Sequence, residues 1–142
     1  MTEANLFYIN VYNLFITLNQ SVDMITQELS IELPYGQYTL LKFISTQEGN
    51  RVTQKRLDEW SSLRKPSISQ ILKILSKKGG FILHFSMNED IRCKEIILTK
   101  KAIDSVNQID LKITELLSHR MTKEDITFYV QFLNSAKEIM ER

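Results

Sequence analysis

The run TQKRLDEWSSLRKPSISQILKILSKK, from Thr53 to Lys78, decides the fold: it alone joins two short helical segments through a tight joint and gives the second a basic outer face. Thr53 offers its hydroxyl to an unpaired first-turn N–H, so the first segment starts after it and runs to about Trp60. Ser61, Ser62 and Leu63 supply the turn. Pro66 opens the second segment, where its missing N–H is no loss and its fixed φ already suits a helix. At about 100° per residue, Ile68, Ile71, Leu72 and Leu75 share one side, and Ser69, Gln70, Lys73 and Lys77 share the other. Burial of the apolar stripe explains an amphipathic helix by itself, but a merely solvated outer face usually mixes charges of both signs. From Arg64 through Asn88 there is no acidic residue, while Arg64, Lys65, Lys73, Lys77 and Lys78 all fall in the run. The pattern is that of a helix-turn-helix with a reading face.

The residues after the second helix narrow the choice of partner. Gly79 and Gly80 stop it, Phe81 to Phe85 (FILHF) is β-prone, and Ser86, Met87, Asn88, Glu89 and Asp90 form a polar tip. Arg92 to Thr99 (RCKEIILT) then returns as a second strand. A hairpin appended to a helix-turn-helix is a winged helix. Its tip carries Arg92 and Lys94, and an arginine on a projecting ribbon suits the narrow, electronegative minor groove beside the major groove.

These residues also carry a family resemblance. Leu57 to Thr99 is similar to the MarR family of bacterial transcription regulators, in which a recognition helix ends in a Gly, an Ile follows two residues on, and an Asp-x-Arg wing precedes a Leu-Thr pair. Gly80, Ile82, Asp90, Arg92, Leu98 and Thr99 stand at those spacings. Asp58 stands where the family usually has a small residue, His84 where an arginine is common, and Ala102 where a glycine is common. The resemblance implies that Arg92 enters the minor groove with Asp90 holding its guanidinium. It implies a homodimer built by intertwined first and last helices, and a crevice between those helices and the DNA-binding lobe for a small aromatic or anionic effector. Tyr12, Phe15, Tyr35, Tyr38 and Trp60 are the rings available to such a crevice, although ordinary core packing is the plainer reading of any one of them.

The flanks read as helices with broad apolar faces. Between about Glu3 and Ser30, Leu14, Leu18, Val22, Ile25 and Leu29 trace a long stripe; Leu33 and Pro34 break the helix, and Gly36 to Ser45 forms the next. Glu48, Gly49 and Asn50 turn the chain, and Val52 is placed to pair with the wing as a short strand. After the wing, a helix from Thr99 or Lys100 to near His119 carries Ile103, Val106, Ile109, Ile113 and Leu116 at steps of three and four. Thr122, with Asp125 three residues on, caps a last helix. A winged helix needs none of this to bury its own core, so a partner subunit is the simplest cover. The expected fold is mainly α with a small β-wing: a winged helix-turn-helix lobe over residues 33–101, with a helical dimerisation region formed by 1–32 and 102–142.

Composition bounds the function. A chain of 142 residues with 43% hydrophobic content supports a real core. No apolar run reaches the roughly 18 residues of a membrane span, and the start MTEANLFYIN lacks the basic opening of a secretory signal, so a cytoplasmic protein is expected. Cys93 is the sole cysteine, which excludes an intrachain disulfide and a cysteine-rich zinc site. The net charge of +1 conceals a segregation: Arg51 to Lys101 holds 12 basic and 5 acidic residues, a local +7, and the rest of the chain carries −6. The middle segment is therefore an electrostatic footprint for phosphate.

Catalysis has little support: His84 and His119 are the only histidines, His84 lies in a strand with no carboxylate at a fixed short spacing, and His119 ends a helix, where a positive charge is favourable for structural reasons. No phosphate-binding glycine motif, cofactor site or metal site is expected. The reading is a dimeric, sequence-specific DNA-binding transcription regulator, a repressor relieved by a small ligand, on near-palindromic double-stranded DNA. The expected contacts are Arg64, Lys65, Ser67, Ser69, Gln70, Lys73 and Lys77 on and before the reading helix, and Asp90, Arg92 and Lys94 on the wing. The other reading is a protein-interaction module that keeps the winged-helix shape without base readout, and Asp58 beside the reading helix is the residue that favours it.

Overall fold

The computed structural model describes residues 1–61, 68–86 and 94–142. Thr2 accepts a hydrogen bond from the Asn5 N–H at 3.2 Å and so opens α1 (Glu3–Glu28). That helix ends in a Schellman motif: the Ser30 N–H bonds to the Gln27 carbonyl at 3.1 Å and the Ile31 N–H to the Thr26 carbonyl at 2.9 Å. Ser30 takes the left-handed conformation this ending requires, at φ 54°, without being a glycine. Pro34 then starts α2 (Tyr35–Ser45), one residue earlier than the sequence pattern suggests. Leu40, Leu41 and Ile44 make α2 the central helix of the core, all three fully buried.

A single 3-10 turn over Glu48–Asn50 leads into β1 (Arg51–Thr53). The Thr53 hydroxyl accepts from the Arg56 N–H at 3.1 Å, as its place before the helix predicts, and α3 comes next (Gln54–Ser61) with Leu57 fully buried. The chain continues through α4 (Ile68–Lys77), β2 (Ile82–Ser86) and β3 (Lys94–Leu98). The described strands form one antiparallel sheet in the order β1-β3-β2. Val52 lies opposite Ile96, and Ile82 opposite Leu98, so the buried faces of the three strands coincide. The short strand at Val52 is thus part of the wing sheet. Ser62 to Ser67 and Met87 to Cys93 fall outside the described residues, among them the turn residues Ser62 and Leu63, the helix-opening Pro66, and the tip residues Met87 to Asp90 with Arg92.

Thr99 is the joint between the wing and the helix after it. Its N–H bonds to the Phe81 carbonyl at 3.2 Å, its hydroxyl donates to the Gly80 carbonyl, and the same oxygen accepts from the Ala102 N–H at 3.2 Å. One threonine therefore closes the sheet end and caps α5 (Lys100–Arg120). The final helix, α6 (Lys123–Met140), opens on a full capping box: the Asp125 N–H to the Thr122 hydroxyl at 3.1 Å and the Thr122 N–H to the Asp125 carboxylate at 3.2 Å.

The chain forms two compact units, Met1–Ile109 and Asp110–Arg142. The core lies in the first, where Leu33, Leu40, Leu41, Ile44, Leu57, Leu75, Ile96, Val106 and Ile109 are almost wholly shielded from solvent. Within that unit the apolar stripe of α1 is only half used: Val22 and Ile25 are buried, whereas Leu14 and Leu18 remain exposed. In the second unit α6 buries no residue at all; its rings pack on one another, Phe128 edge-on to Tyr129 and stacked with Phe132.

Candidate nucleic-acid interface

The orientation of α4 is set by its inner side. Ile68, Leu72 and Leu75 are buried and Ile71 is half-buried, which turns Ser69, Gln70, Lys73 and Lys77 outward as their spacing predicts; all four are exposed. The C-terminal end of the helix is held by contacts from three other parts of the unit. Lys78 Nζ donates to the Glu32 carbonyl at 2.6 Å and to Gln37 Oε1 at 2.9 Å. Lys101 Nζ donates to the Gly79 carbonyl at 3.0 Å and sits 4.5 Å from the centre of the Phe81 ring. Thr99 takes the Gly80 carbonyl. Gly79 and Gly80 adopt φ +83° and +89°, a region that side chains with a Cβ resist, and this lets the chain leave the helix sharply into β2. The rotational setting of α4 is thus fixed at its end as well as along its length.

Four of the ten nucleic-acid contacts expected from the sequence are gathered by this face. Arg64, Lys65, Ser67, Asp90 and Arg92 lie outside the described residues. Lys94 begins β3, opposite Ser86. The local positive charge is spent in two ways that the sequence count does not separate. Arg51 pairs with Glu95 at 3.6 Å, Arg56 pairs with Glu59 at 3.8 Å and lies over the Phe43 ring, and Lys78 and Lys101 hold the end of α4. Lys78, part of the basic run in sequence, is therefore an internal anchor rather than part of the outer face. Lys73 and Lys77 make no ion pair among the described residues and present their charge to solvent. Asp58 is exposed on α3 and accepts from Gln54 Nε2 at 3.1 Å.

One residue of the outer face escapes the sequence reading. Ile74, four positions after Gln70, is 37% exposed. The signal that finds it is helical phase alone, since its residue type assigns it to the core.

The rings expected to share a crevice are dispersed. Phe15 meets Tyr35 edge to face at 5.8 Å, at the start of α2, and Trp60 stacks on Phe43 at 4.7 Å, near its end. Tyr35 and Phe43 are eight residues apart on one helix, or about 12 Å along its axis. Tyr38 is 7% exposed and belongs to the core, and Tyr12 stands exposed on α1. A cleft of about 580 Å³ lies elsewhere, where the end of α1 and the loop after it meet Lys78; Asp23, Gln27, Glu32 and Pro34 help to line it, and none of those rings does. Among the described residues no three His, Cys, Asp or Glu side chains converge as metal ligands, and no helix is long and apolar enough to cross a membrane.

Neither protein-family models nor curated protein sequences give a match to this chain. Solved structures do. MarR of Staphylococcus aureus in complex with salicylate and kanamycin superposes with a TM-score of 0.77 at 19% identity, over 96% of this chain and 91% of that one. AbsC of Streptomyces coelicolor, a MarR family transcriptional regulator, gives 0.70 at 16% identity over 99% and 97% of the two chains. MepR of S. aureus, solved as a complex with DNA, gives 0.69 at 19% identity over 99% and 98%.

Proposed function

Because this chain has the MarR winged-helix fold, we propose that it is a sequence-specific DNA-binding transcription regulator that works as a homodimer. The observation that carries the proposal is the outer face of α4, where Gln70, Lys73 and Lys77 stand exposed on a helix without an acidic residue. Gln70 lies in the first described turn, the part of a docked recognition helix nearest the base edges, and glutamine pairs bidentately with adenine. The lysines answer the phosphates on either side of the groove. The wing supports the same reading by sequence, with Arg92 for the minor groove and Asp90 and Lys94 beside it.

Dimerisation is assigned to residues 1–32 and 102–142, and DNA binding to 33–101. The support is exposed apolar surface: Leu6, Phe7, Ile9 and Phe15 on α1, and Phe128, Phe132, Leu133 and Ile139 on α6, all large side chains that a lone chain leaves in water. A two-fold dimer sets two recognition helices into successive major grooves of a near-palindromic operator, about one helical turn apart. The protein acts in the cytoplasm by binding, not catalysis, as a repressor released by a small aromatic or anionic effector. The salicylate in the S. aureus MarR structure supports that effector class. Tyr12, Phe15 and Trp60 are the rings proposed to meet it, and Tyr38, closed into the core, can only back them.

The exposed carboxylate of Asp58 on α3 favours the other reading, an interaction module without base readout. A mobility shift on the promoter of the protein's own operon, at stated salt, separates the two. A specific, salt-sensitive shift is expected, and Gln70→Ala is expected to relax specificity at one position per half-site. Equal weakening on every sequence would make Gln70 a phosphate contact instead.

A further inference from the structure

Set opposite the buried Ile68, Leu72 and Leu75, the outward direction of α4 runs along Gln70 and Lys77, with Lys73 on one flank and Ile74 on the other. A single exposed isoleucine is ordinary on a protein surface. This one sits among residues suited to polar and anionic surface, with 37% of its own surface open to solvent. Its branched Cβ leaves it one preferred rotamer in a helix, so its methyl groups present a fixed apolar patch. The anchors from Lys78 to Glu32 and Gln37, and from Lys101 to Gly79, hold the helix phase and with it the direction of that patch. The major groove has one prominent apolar feature, the C5-methyl of thymine.

The geometry points to Ile74 as a specificity-determining residue that packs on a thymine methyl in the major groove. It stands about 6 Å along the helix axis from Gln70, or about one to two base pairs farther into the half-site. This deepens the proposed DNA-binding function and rests on it. The contact adds sequence preference at a position that the hydrogen-bonding and charged residues of α4 do not read.

The test uses the full-length protein and an operator it selects from a random duplex pool. Each thymine of the half-site is replaced in turn by deoxyuridine, which removes only the methyl group. The intact protein is expected to lose affinity about fourfold at one position per half-site, the factor that corresponds to one buried CH₂. Ile74→Ala, with its fold checked by circular dichroism, should bind the normal operator at least that much more weakly and lose nothing further at that uracil. Gln70→Ala should keep the uracil sensitivity. Specific binding by the intact protein with a flat uracil scan, or an undiminished uracil effect in Ile74→Ala, overturns the Ile74 contact alone. No specific binding to any duplex overturns the regulator reading and this contact with it.

Discussion

Helices α4 and α6 have the same kind of sequence and opposite surroundings. Both carry apolar residues at steps of three and four, yet the ten residues of α4 bury Ile68, Leu72 and Leu75, and the eighteen of α6 bury none. Phe128 in α6 is 62% exposed, while Leu75 in α4 is wholly hidden. Periodicity states that a helix has a face to cover; it does not state what covers it. The first helix shows both outcomes along its own length, with Val22 and Ile25 buried and Leu6, Phe7, Leu14 and Leu18 exposed.

The sharpest attempt to break this contrast is truncation before Phe128. If α6 is covered only by a second chain, the shortened protein should be monomeric or insoluble and should fail to shift operator DNA, since one winged helix holds a half-site through few phosphate contacts. A soluble monomer by sedimentation that binds the full operator as tightly as the intact chain would refute the dimer mechanism.

Next in size is Leu75→Ala, which should lower stability by about 2–5 kcal/mol through the cavity it leaves in the lobe. Urea unfolding monitored by circular dichroism reads the loss. A midpoint within error of the intact protein's would mean that the inner face of α4 is not the packed surface described.

Phe132→Ser probes the opposite face. It should weaken subunit association by at least tenfold, in line with the roughly 1.5–3 kcal/mol of burying such a side chain, and leave helical content unchanged. Sedimentation across a concentration series decides it; an unaltered association constant would place Phe132 outside the interface.

The smallest effect belongs to the end of α1. Ser30→Gly removes the strain of a Cβ at φ 54° and should raise stability by about 0.5–1 kcal/mol, less the extra freedom of the unfolded chain. A lowered unfolding midpoint would show that the serine side chain, not its backbone, holds the motif.

Much of the architecture is legible in the order of residues alone. Local chemistry explains why: Thr53, Thr122 and Asp125 satisfy helix-start N–H groups within three residues of themselves, and Gly79 and Gly80 end a helix by their own backbone freedom. The short strand at Val52 is legible for a related reason, as a β-branched residue between a turn and a cap. The outward set Ser69, Gln70, Lys73 and Lys77 comes from phase on a single helix. Contacts between distant segments are not legible. Lys78 reads as one more cation in a basic run, yet it bonds to Glu32 and Gln37, more than forty residues away. The aromatic residues read as one group, yet α2 separates Phe15 with Tyr35 from Phe43 with Trp60.

The order of elements, their caps and stops, and the polar stripe of the reading helix all follow from residues within a turn or two of one another. Long-range packing settled that Lys78 and Lys101 hold the end of α4 and do not join its outer face, which half of α1 is covered, and that Tyr38 is closed into the core. Those outcomes depend on long-range packing, where a side chain's role is set by what the rest of the chain brings against it and not by its own type.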